Sequence, residues 1–507
     1  MFKKNLAVTS LLISILTLVL YYYPFFKYSL TQIDLSTFSG ILLLVNVIIL
    51  ILAMNALATY LVLFLLRKAG KYVIALTFII NSIALYFINT YNILVDKNMI
   101  GNVLNTNFDE AGSFFSLPFV LYVLFLGIAP SILLFKFKPI KETLKQFFIK
   151  FIAGLLLAAA FAYFNSSSWL WVDKNVPTLG SLAMPWCYVV NIFRYTNAQN
   201  KQDKEAILLP DLKIKDQKKQ VVVLVIGEST RKKNMSLYGY DKKTNPLLSK
   251  MNDLHVYDAE SYDTYTIAGV KAILDYKKTG DFVEPLPSYL HRNGVNVVWR
   301  TTNSGEPKLK VTKRQEAAYL RTLAPKDSLS AEHDEMLLAG LKEEIEGSEN
   351  AKNFIVLHTS TSHGPTYYKK YPARFSKFEP VCTGVELAEY SQEELMNAYD
   401  NTIVYTDYII ATLIEKLKEI DDYTSTVLFV SDHGESLGEK GFYMHGIPKN
   451  MAPAEQFEIP FLVWSNDTTL HFKEMEKVSQ FHVFHTVTDA LGLESPVYDA
   501  DMSLITK

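Results

Sequence analysis

The pentapeptide Ser431-Asp432-His433-Gly434-Glu435 follows the apolar run Thr426-Val427-Leu428-Phe429-Val430. A carboxylate and an imidazole therefore stand side by side where a buried strand meets a loop. Both are good ligands for a hard-to-borderline divalent metal. In open α/β sheets, sites gather at the carboxyl ends of strands. An isolated Asp-His pair is more often just a turn, but this pair has company. A second apolar run, Val221 to Gly227, ends in Glu228-Ser229-Thr230. A third, Phe354 to Leu357, ends in His358-Thr359-Ser360-Thr361-Ser362-His363. Strand ends of this kind point to one shared metal site.

A metal needs a group to activate. Ser261-Tyr262-Asp263-Thr264-Tyr265-Thr266 precedes a helical pattern over Ile267–Tyr276. A hydroxyl at a helix start is usually an N-cap. It also sits where free backbone N–H groups and the helix dipole hold an anion such as phosphate. A Thr hydroxyl becomes a competent nucleophile when a metal binds it. The residue types alone leave Ser261, Thr264 and Thr266 as equal candidates.

The elements that must position these groups alternate. Strands are predicted at Val221–Ile226, Asn296–Arg300, Asn353–Leu357, Thr426–Val430 and Pro460–Trp464. A helix is predicted over Glu393–Glu419, with Leu395, Tyr399, Thr402, Thr406, Ile409, Ile410, Leu413 and Leu417 at helical spacing. That stripe is core packing. Alternation of this kind gives a mostly parallel sheet with helices on both faces.

The first third of the 507-residue chain reads differently. Five apolar segments have the ~20 residues that a bilayer crossing needs, near Asn5–Tyr23, Ile41–Leu66, Tyr72–Leu94, Leu117–Phe135 and Phe147–Phe164. The first is read as a retained span, because no small-residue cleavage site follows it. Lys3 and Lys4, then Arg67, Lys68 and Lys71, then Lys136, Lys138, Lys141, Lys145 and Lys150 mark alternate loops. The intervening loops carry mainly Lys27 and Lys97. The N-terminus is therefore expected in the cytoplasm and everything after residue 165 on the far side, which in a Gram-negative cell is the periplasm. Three regions follow: 1–165 membrane-embedded, 166–220 a linker with an interfacial helix rich in Trp and Tyr, and 221–507 an α/β domain. The net charge of −2 gives no reason to expect a nucleic-acid partner. Cys187 and Cys382 supply no disulfide framework.

The soluble half resembles the phosphoethanolamine transferases of Gram-negative inner membranes, within the alkaline phosphatase and sulfatase superfamily. The matching stretches are Val225 to Arg231, Asn234 to Tyr240, Thr264-Tyr265-Thr266, His358 to Pro365, Tyr399-Asp400-Asn401-Thr402, Ser431 to Glu439 and Tyr443-Met444-His445-Gly446. The five-span half fits the same family.

The resemblance implies a metal-bound nucleophile at Thr266 and one zinc held by Glu228, Thr266, Asp432 and His433. Residues matching His363 and His445 lie across from the nucleophile and bind the substrate phosphate, a second and weaker zinc, or the proton of the leaving group. Ser304 and Lys308 are candidates for the head group, although the spacing to Lys308 differs from the family's. In the membrane half, Asn102, Thr106 and Glu110 match family positions for the lipid head group.

The implied reaction moves phosphoethanolamine from phosphatidylethanolamine to a lipopolysaccharide acceptor, a lipid A phosphate or a core sugar, through a covalent threonine intermediate, with release of diacylglycerol. Relatives carry disulfides around the nucleophile, whereas Tyr262 stands here where a cysteine is expected. Alternatives are a phosphoglycerol transferase, another superfamily hydrolase or a non-catalytic membrane scaffold. A sulfatase is disfavoured, because neither cysteine lies in a C/S-x-P-x-R context.

Overall fold

The computed structural model describes residues 3–106, 108–164, 169–202, 206–279, 281–324 and 332–506. By their contacts they divide into two units. One comprises Met1–Ile100 and Phe114–Asn197; the other comprises Gly101–Ser113 and Ala198–Lys507.

The first unit contains apolar helices α1 (Leu6–Tyr21), α2 (Phe38–Leu66), α3 (Lys68–Tyr91), α4 (Leu117–Lys136) and α5 (Leu144–Phe164). Among the described residues, α2 to α5 are each long and apolar enough to cross a bilayer. At the span expected over Asn5–Tyr23, α1 has 16 residues and bends by 70° into Tyr23–Gln32; the two together are long and apolar enough to cross. Pro24 opens that second helix, where its missing N–H costs nothing.

The stretch expected as an interfacial linker supplies two more helices, Trp169–Leu182 and Trp186–Gln202. Trp186 Nε1 donates to Asn55 Oδ1 at 2.9 Å, and Tyr188 Oη donates to Asn81 Oδ1 at 3.0 Å. Polar groups in an apolar medium must find such partners.

The second unit is built on an eight-stranded sheet. Its strands are β1 (Gln220–Gly227), β2 (Leu254–Glu260), β3 (Asn296–Thr301), β4 (Lys313–Glu316), β5 (Lys352–His358), β6 (Thr424–Ser431), β7 (Glu458–Ser465) and β8 (Val478–Ser479). Their spatial order is β8-β2-β7-β6-β1-β5-β3-β4. All pairings are parallel except those of β7 with β2 and β6. The five expected strands are present. β2 escaped the sequence reading because Leu254-His255-Val256-Tyr257-Asp258-Ala259-Glu260 is half polar; five of its residues are at least partly exposed.

Alternate residues of β1 feed two cores, as the period of two requires. Val221, Val223 and Val225 face the core shared with helix α7 (Gln392–Lys418), through Leu395, Tyr399, Ile409 and Leu413. Val222, Leu224 and Ile226 face the core shared with α6 (Thr266–Leu274) and α8 (His482–Ala490), through Val270, Ile273, Val483 and Phe484. Each such buried aliphatic side chain contributes about 1.5–3 kcal/mol. A capping box of Ser391 and Glu394 starts α7.

Register then sets the site. Ile226 aligns with Val430 on one side and His358 on the other. Glu228 and Asp432 consequently leave the sheet as neighbours at its carboxyl edge.

Candidate active site and metal centre

Glu228 follows β1 and is buried. The next residue, Ser229, has φ of +52°, a strained value for a side-chain-bearing residue that accompanies functional turns. Ser229 ties the two carboxylates together. Its N–H donates to Asp432 Oδ1 at 3.0 Å, and its hydroxyl donates to Glu228 Oε1 at 2.6 Å. Asp432 Oδ1 also accepts from the N–H of His433 at 2.7 Å. The other oxygen, Oδ2, is buried and has no hydrogen-bond donor among the described residues. Gly434 is required at its position, since a Cβ would lie 2.0 Å from the carbonyl oxygen of Glu455.

His433 Nδ1 lies 2.8 Å from the Gly434 carbonyl oxygen. A carbonyl only accepts, so Nδ1 carries the hydrogen and Nε2 presents its lone pair. That lone pair faces Asp432 Oδ2 at 3.3 Å, Glu228 Oε1 at 3.6 Å and Thr266 Oγ1 at 3.3 Å. Two carboxylates, an oriented imidazole and a hydroxyl thus converge on one point. Ligand atoms of Glu228, His433 and His445 also lie within 4.8 Å of one another. An orphaned buried carboxylate oxygen beside an aimed imidazole lone pair suits a divalent cation, and an oxygen and nitrogen donor set suits zinc.

The electrostatics agree. Burial pushes Asp432 up to about 7, and the Glu228 anion beside it adds to the shift. Burial also opposes ionisation of Glu228, but the histidines 363, 433 and 445 outweigh it and hold that carboxyl well below its usual range. Burial disfavours a charged His433, yet the Asp432 and Glu228 anions raise its pKa. Without a metal, protons must supply the positive charge that this cluster lacks.

The helix that follows the hydroxyl candidates begins at Thr266, one residue earlier than the sequence pattern indicated. The three hydroxyl candidates separate cleanly. Ser261 Oγ donates to the Asp263 carbonyl at 2.6 Å, and Thr264 Oγ1 donates to the Ile447 carbonyl at 2.6 Å. Thr266 alone of the three points at His433.

No disulfide braces this loop; Cys187 and Cys382 are buried free thiols. Gln480 does part of that work. Its side chain accepts from Tyr262 N–H at 2.8 Å and donates to the carbonyls of Ser431 at 2.9 Å and Asp432 at 2.7 Å. Gly269 of α6 packs directly on the Asp432 carbonyl.

His445 and His363 flank the same space. Nδ1 of His445 meets Glu435 Oε1 at 3.1 Å, and its ring centre lies 4.2 Å from that of His433 and 5.5 Å from that of His363. Burial pushes Glu435 up to about 8.

Asn102, Thr106, Thr266, Ser304, His363 and His445 line one small cleft of about 50 Å³, together with Asn105 and Asn303. Its Asn102 and Thr106 come from the segment Gly101–Ser113, which belongs to the second unit. Lys308 is exposed and does not line this cleft. Glu110 lies in the helix Phe108–Ser113, with its side chain outside the described residues.

One expectation needs correction. His358, the end of β5, turns away from the metal position. Its Nδ1 faces Glu306 Oε2 at 3.6 Å and Thr301 Oγ1 at 3.5 Å, with the ring beside Trp299. An inward-facing residue at a strand end serves the sheet core as readily as a site.

Sequence reasoning overlooked Asn303. Its Nδ2 donates to Glu228 Oε2 at 2.7 Å and to the Thr359 carbonyl at 2.8 Å. A single Asn after a strand carries no sequence signal of that role.

The Sulfatase family model matches residues 220–493, which defines the class of the α/β half. A second model, Phosphoethanolamine transferase EptA/EptB, matches residues 50–200. Phosphoethanolamine transferase EptA of Helicobacter pylori is 37% identical over 510 residues, covering 98% of this chain and 95% of that protein. The integral membrane lipooligosaccharide phosphoethanolamine transferase A of Neisseria meningitidis matches with a TM-score of 0.87 at 25% identity, over 99% of this chain and 98% of that one. The C-terminal periplasmic domain of phosphoethanolamine transferase EptC from Campylobacter jejuni matches with a TM-score of 0.50 at 36% identity, over 57% of this chain and 94% of that one. The chain belongs to the phosphoethanolamine transferase family of the sulfatase superfamily.

Proposed function

We propose that this chain is an inner-membrane enzyme whose α/β domain, on the periplasmic side, transfers phosphoethanolamine from phosphatidylethanolamine to a phosphate or sugar of lipopolysaccharide. The observation that carries the reading is the convergence of Thr266 Oγ1, Asp432 Oδ2 and Glu228 Oε1 on His433 Nε2. The relatives' names supply the transferred group, and the alternating basic loops support the orientation.

Glu228, Asp432 and His433 would hold one zinc together with Thr266. When bound, zinc supplies the positive charge that lowers the pKa of a hydroxyl and neutralises phosphoryl oxygens. The chain's own residues do the rest. Ser229 and Asn303 fix the two oxygens of Glu228, and the Gly434 carbonyl fixes the tautomer of His433.

Thr266 Oγ1, the alkoxide at the start and end of each cycle, attacks phosphorus, and the bond from phosphorus to the diacylglycerol oxygen breaks. His363 and His445 stand where they can protonate that leaving oxygen. Thr266 then holds phosphoethanolamine as a phosphodiester. An acceptor oxygen attacks the same phosphorus, the bond to Thr266 breaks, and the acceptor's proton restores the histidine. The order implies ping-pong kinetics. Asn102 and Thr106 contribute to the wall around Thr266, as residues that orient a head group would.

The test is peptide mass spectrometry after incubation with phosphatidylethanolamine and no acceptor. A phosphoethanolamine adduct is expected on Thr266. Thr266→Ala should abolish both adduct and transfer with the fold intact, and Thr266→Ser should keep a trace. An adduct on Thr264 or Ser261 would sink the assignment.

A further inference from the structure

Asp334 is buried, and the reaction proposed above gives it no part. Its carboxylate accepts four hydrogen bonds. Oδ1 takes the hydroxyls of Thr302 at 2.5 Å and Ser360 at 3.3 Å. Oδ2 takes the N–H of Ser360 at 2.8 Å and the hydroxyl of Thr361 at 2.5 Å. All four donors are neutral, and they come from two places. Thr302 follows β3, whereas Ser360 and Thr361 follow β5. An ionised carboxyl offers about four lone-pair sites, so one side chain meets the whole set.

The carboxylate stands on a firm base. It opens the turn Asp334–Leu338. Buried Arg300, on β3, donates to the carbonyls of Leu337 at 2.9 Å and Ala339 at 2.8 Å. The N–H of Glu335 donates to Tyr405 Oη, on α7, at 3.1 Å.

What Asp334 holds is the approach to His363. Thr359 is fixed to β1, because its N–H and its hydroxyl both donate to the Ile226 carbonyl at 3.0 Å. Ser362 is fixed to α7 through Thr402 at 2.8 Å. Between these two points Ser360 and Thr361 turn the chain, and the N–H of His363 closes the turn on the Ser360 carbonyl at 3.3 Å. Asp334 takes both hydroxyls of this pair and one of its N–H groups. The histidine that the turn delivers lines the cleft of Thr266.

We propose that Asp334 is a positioning residue: by holding Ser360 and Thr361 it sets where His363 stands relative to Thr266. The inference rests on the transfer reaction proposed above, in which His363 handles the proton of the leaving oxygen. Asp334 acts by accepting hydrogen bonds and not by its charge. Asparagine therefore substitutes for much of it. One amide oxygen still serves Ser360 and Thr361, and the amide N–H can donate to the Thr302 hydroxyl once that hydroxyl turns to accept. Alanine serves none of them.

The experiment uses the full-length, zinc-loaded protein with phosphatidylethanolamine and lipid A in vesicles. It compares Asp334→Ala, Asp334→Asn, His363→Ala and the double variant Asp334→Ala/His363→Ala with the parent. Asp334→Ala should lower kcat by about 10- to 100-fold, the scale of a misplaced reacting group, and leave the KM for phosphatidylethanolamine within about threefold. Asp334→Asn should recover most of that loss. In the His363→Ala background, Asp334→Ala should cost less than about threefold more, because both changes act through one imidazole. Zinc content should match the parent, since Asn303 keeps its own bond to Glu228. Backbone amide exchange should speed up in the peptide 359–364 and not in β1.

A full, additive loss in the His363→Ala background overturns the proposal. So does an Asp334→Asn protein no better than Asp334→Ala, or a loss of zinc that accounts for the lost rate. If Asp334→Ala does not fold, Thr361→Val removes one of the four bonds and carries the same cycle: a smaller loss that vanishes without His363 supports the proposal, and no loss overturns it. Amide exchange needs no turnover and separates the two readings. Unchanged exchange in 359–364 overturns the role of Asp334 even where transfer is confirmed. Faster exchange in a variant whose parent makes no adduct on Thr266 supports the hold on the turn and refutes the transfer reading.

Discussion

Gly269→Ala tests the geometry most directly. Gly269 lies in the first turn of α6, the helix that begins with Thr266. A Cβ added there would stand 2.1 Å from the carbonyl oxygen of Asp432 and 2.7 Å from its carbonyl carbon. Ordinary contact begins at 3.4 Å, and the obstacle is backbone at the end of β6, which cannot swing aside like a side chain. Either α6 or the Asp432-His433 loop must yield by more than about 1 Å. A displacement of that size at a reacting centre costs on the order of 100-fold in rate.

The stability cost of such overpacking is about 1–3 kcal/mol, too little to unfold a domain of this size. Of the four proposed ligands, Glu228, Asp432 and His433 hang from strand ends and only Thr266 from α6, so metal binding should largely persist. The assay is the initial rate of adduct formation on Thr266, alongside zinc content by mass spectrometry and the melting midpoint. We expect a fall of about 100-fold in the rate with most of the zinc retained. A folded Gly269→Ala protein that works within about threefold of the parent would refute the close apposition of α6 and the metal loop.

Gln480→Ala removes the side chain that joins Tyr262 to Ser431 and Asp432, and leaves two buried carbonyls and one part-buried N–H without that partner. A loss of about 3 kcal/mol is expected from chemical denaturation, together with weaker zinc binding in a chelator competition. Stability without metal should depend on pH in a defined direction. Asp432 and Glu435 have folded-state values raised to about 7 and about 8, against about 4 for unfolded carboxyls. Their contribution is therefore fully present below about pH 4 and is lost as pH rises through 7 and 8. The melting midpoint of metal-free protein should fall between pH 5 and 9, and zinc should flatten the fall. A midpoint that rises across that interval would show that these carboxyls ionise freely in the fold.

Much of this chain was legible before any coordinates. Apolar runs of about 20 residues can satisfy their backbone in a bilayer only as helices, and α2 to α5 lie where those runs are. Fully buried parallel strands need continuous Val, Ile and Leu, so β1, β5 and β6 announced themselves, and Glu228 and Asp432 could be read from their ends. β2 could not, because a strand bordered on one side by only the two residues of β8 tolerates His255, Asp258 and Glu260.

The site's finer choices belonged to tertiary structure. Which hydroxyl faces the metal position depends on where three side chains point after a loop has folded. Ser261 and Thr264 spend their hydrogens on carbonyls, and one of those carbonyls lies more than 180 residues away. Likewise, only packing decides that His358 serves Glu306, that Asn303 holds Glu228, and that the segment Gly101–Ser113 lines the cleft of Thr266. Local sequence sets which groups are available. Distances between groups remote in the chain are set by strand register and core packing, and chemistry responds to those distances.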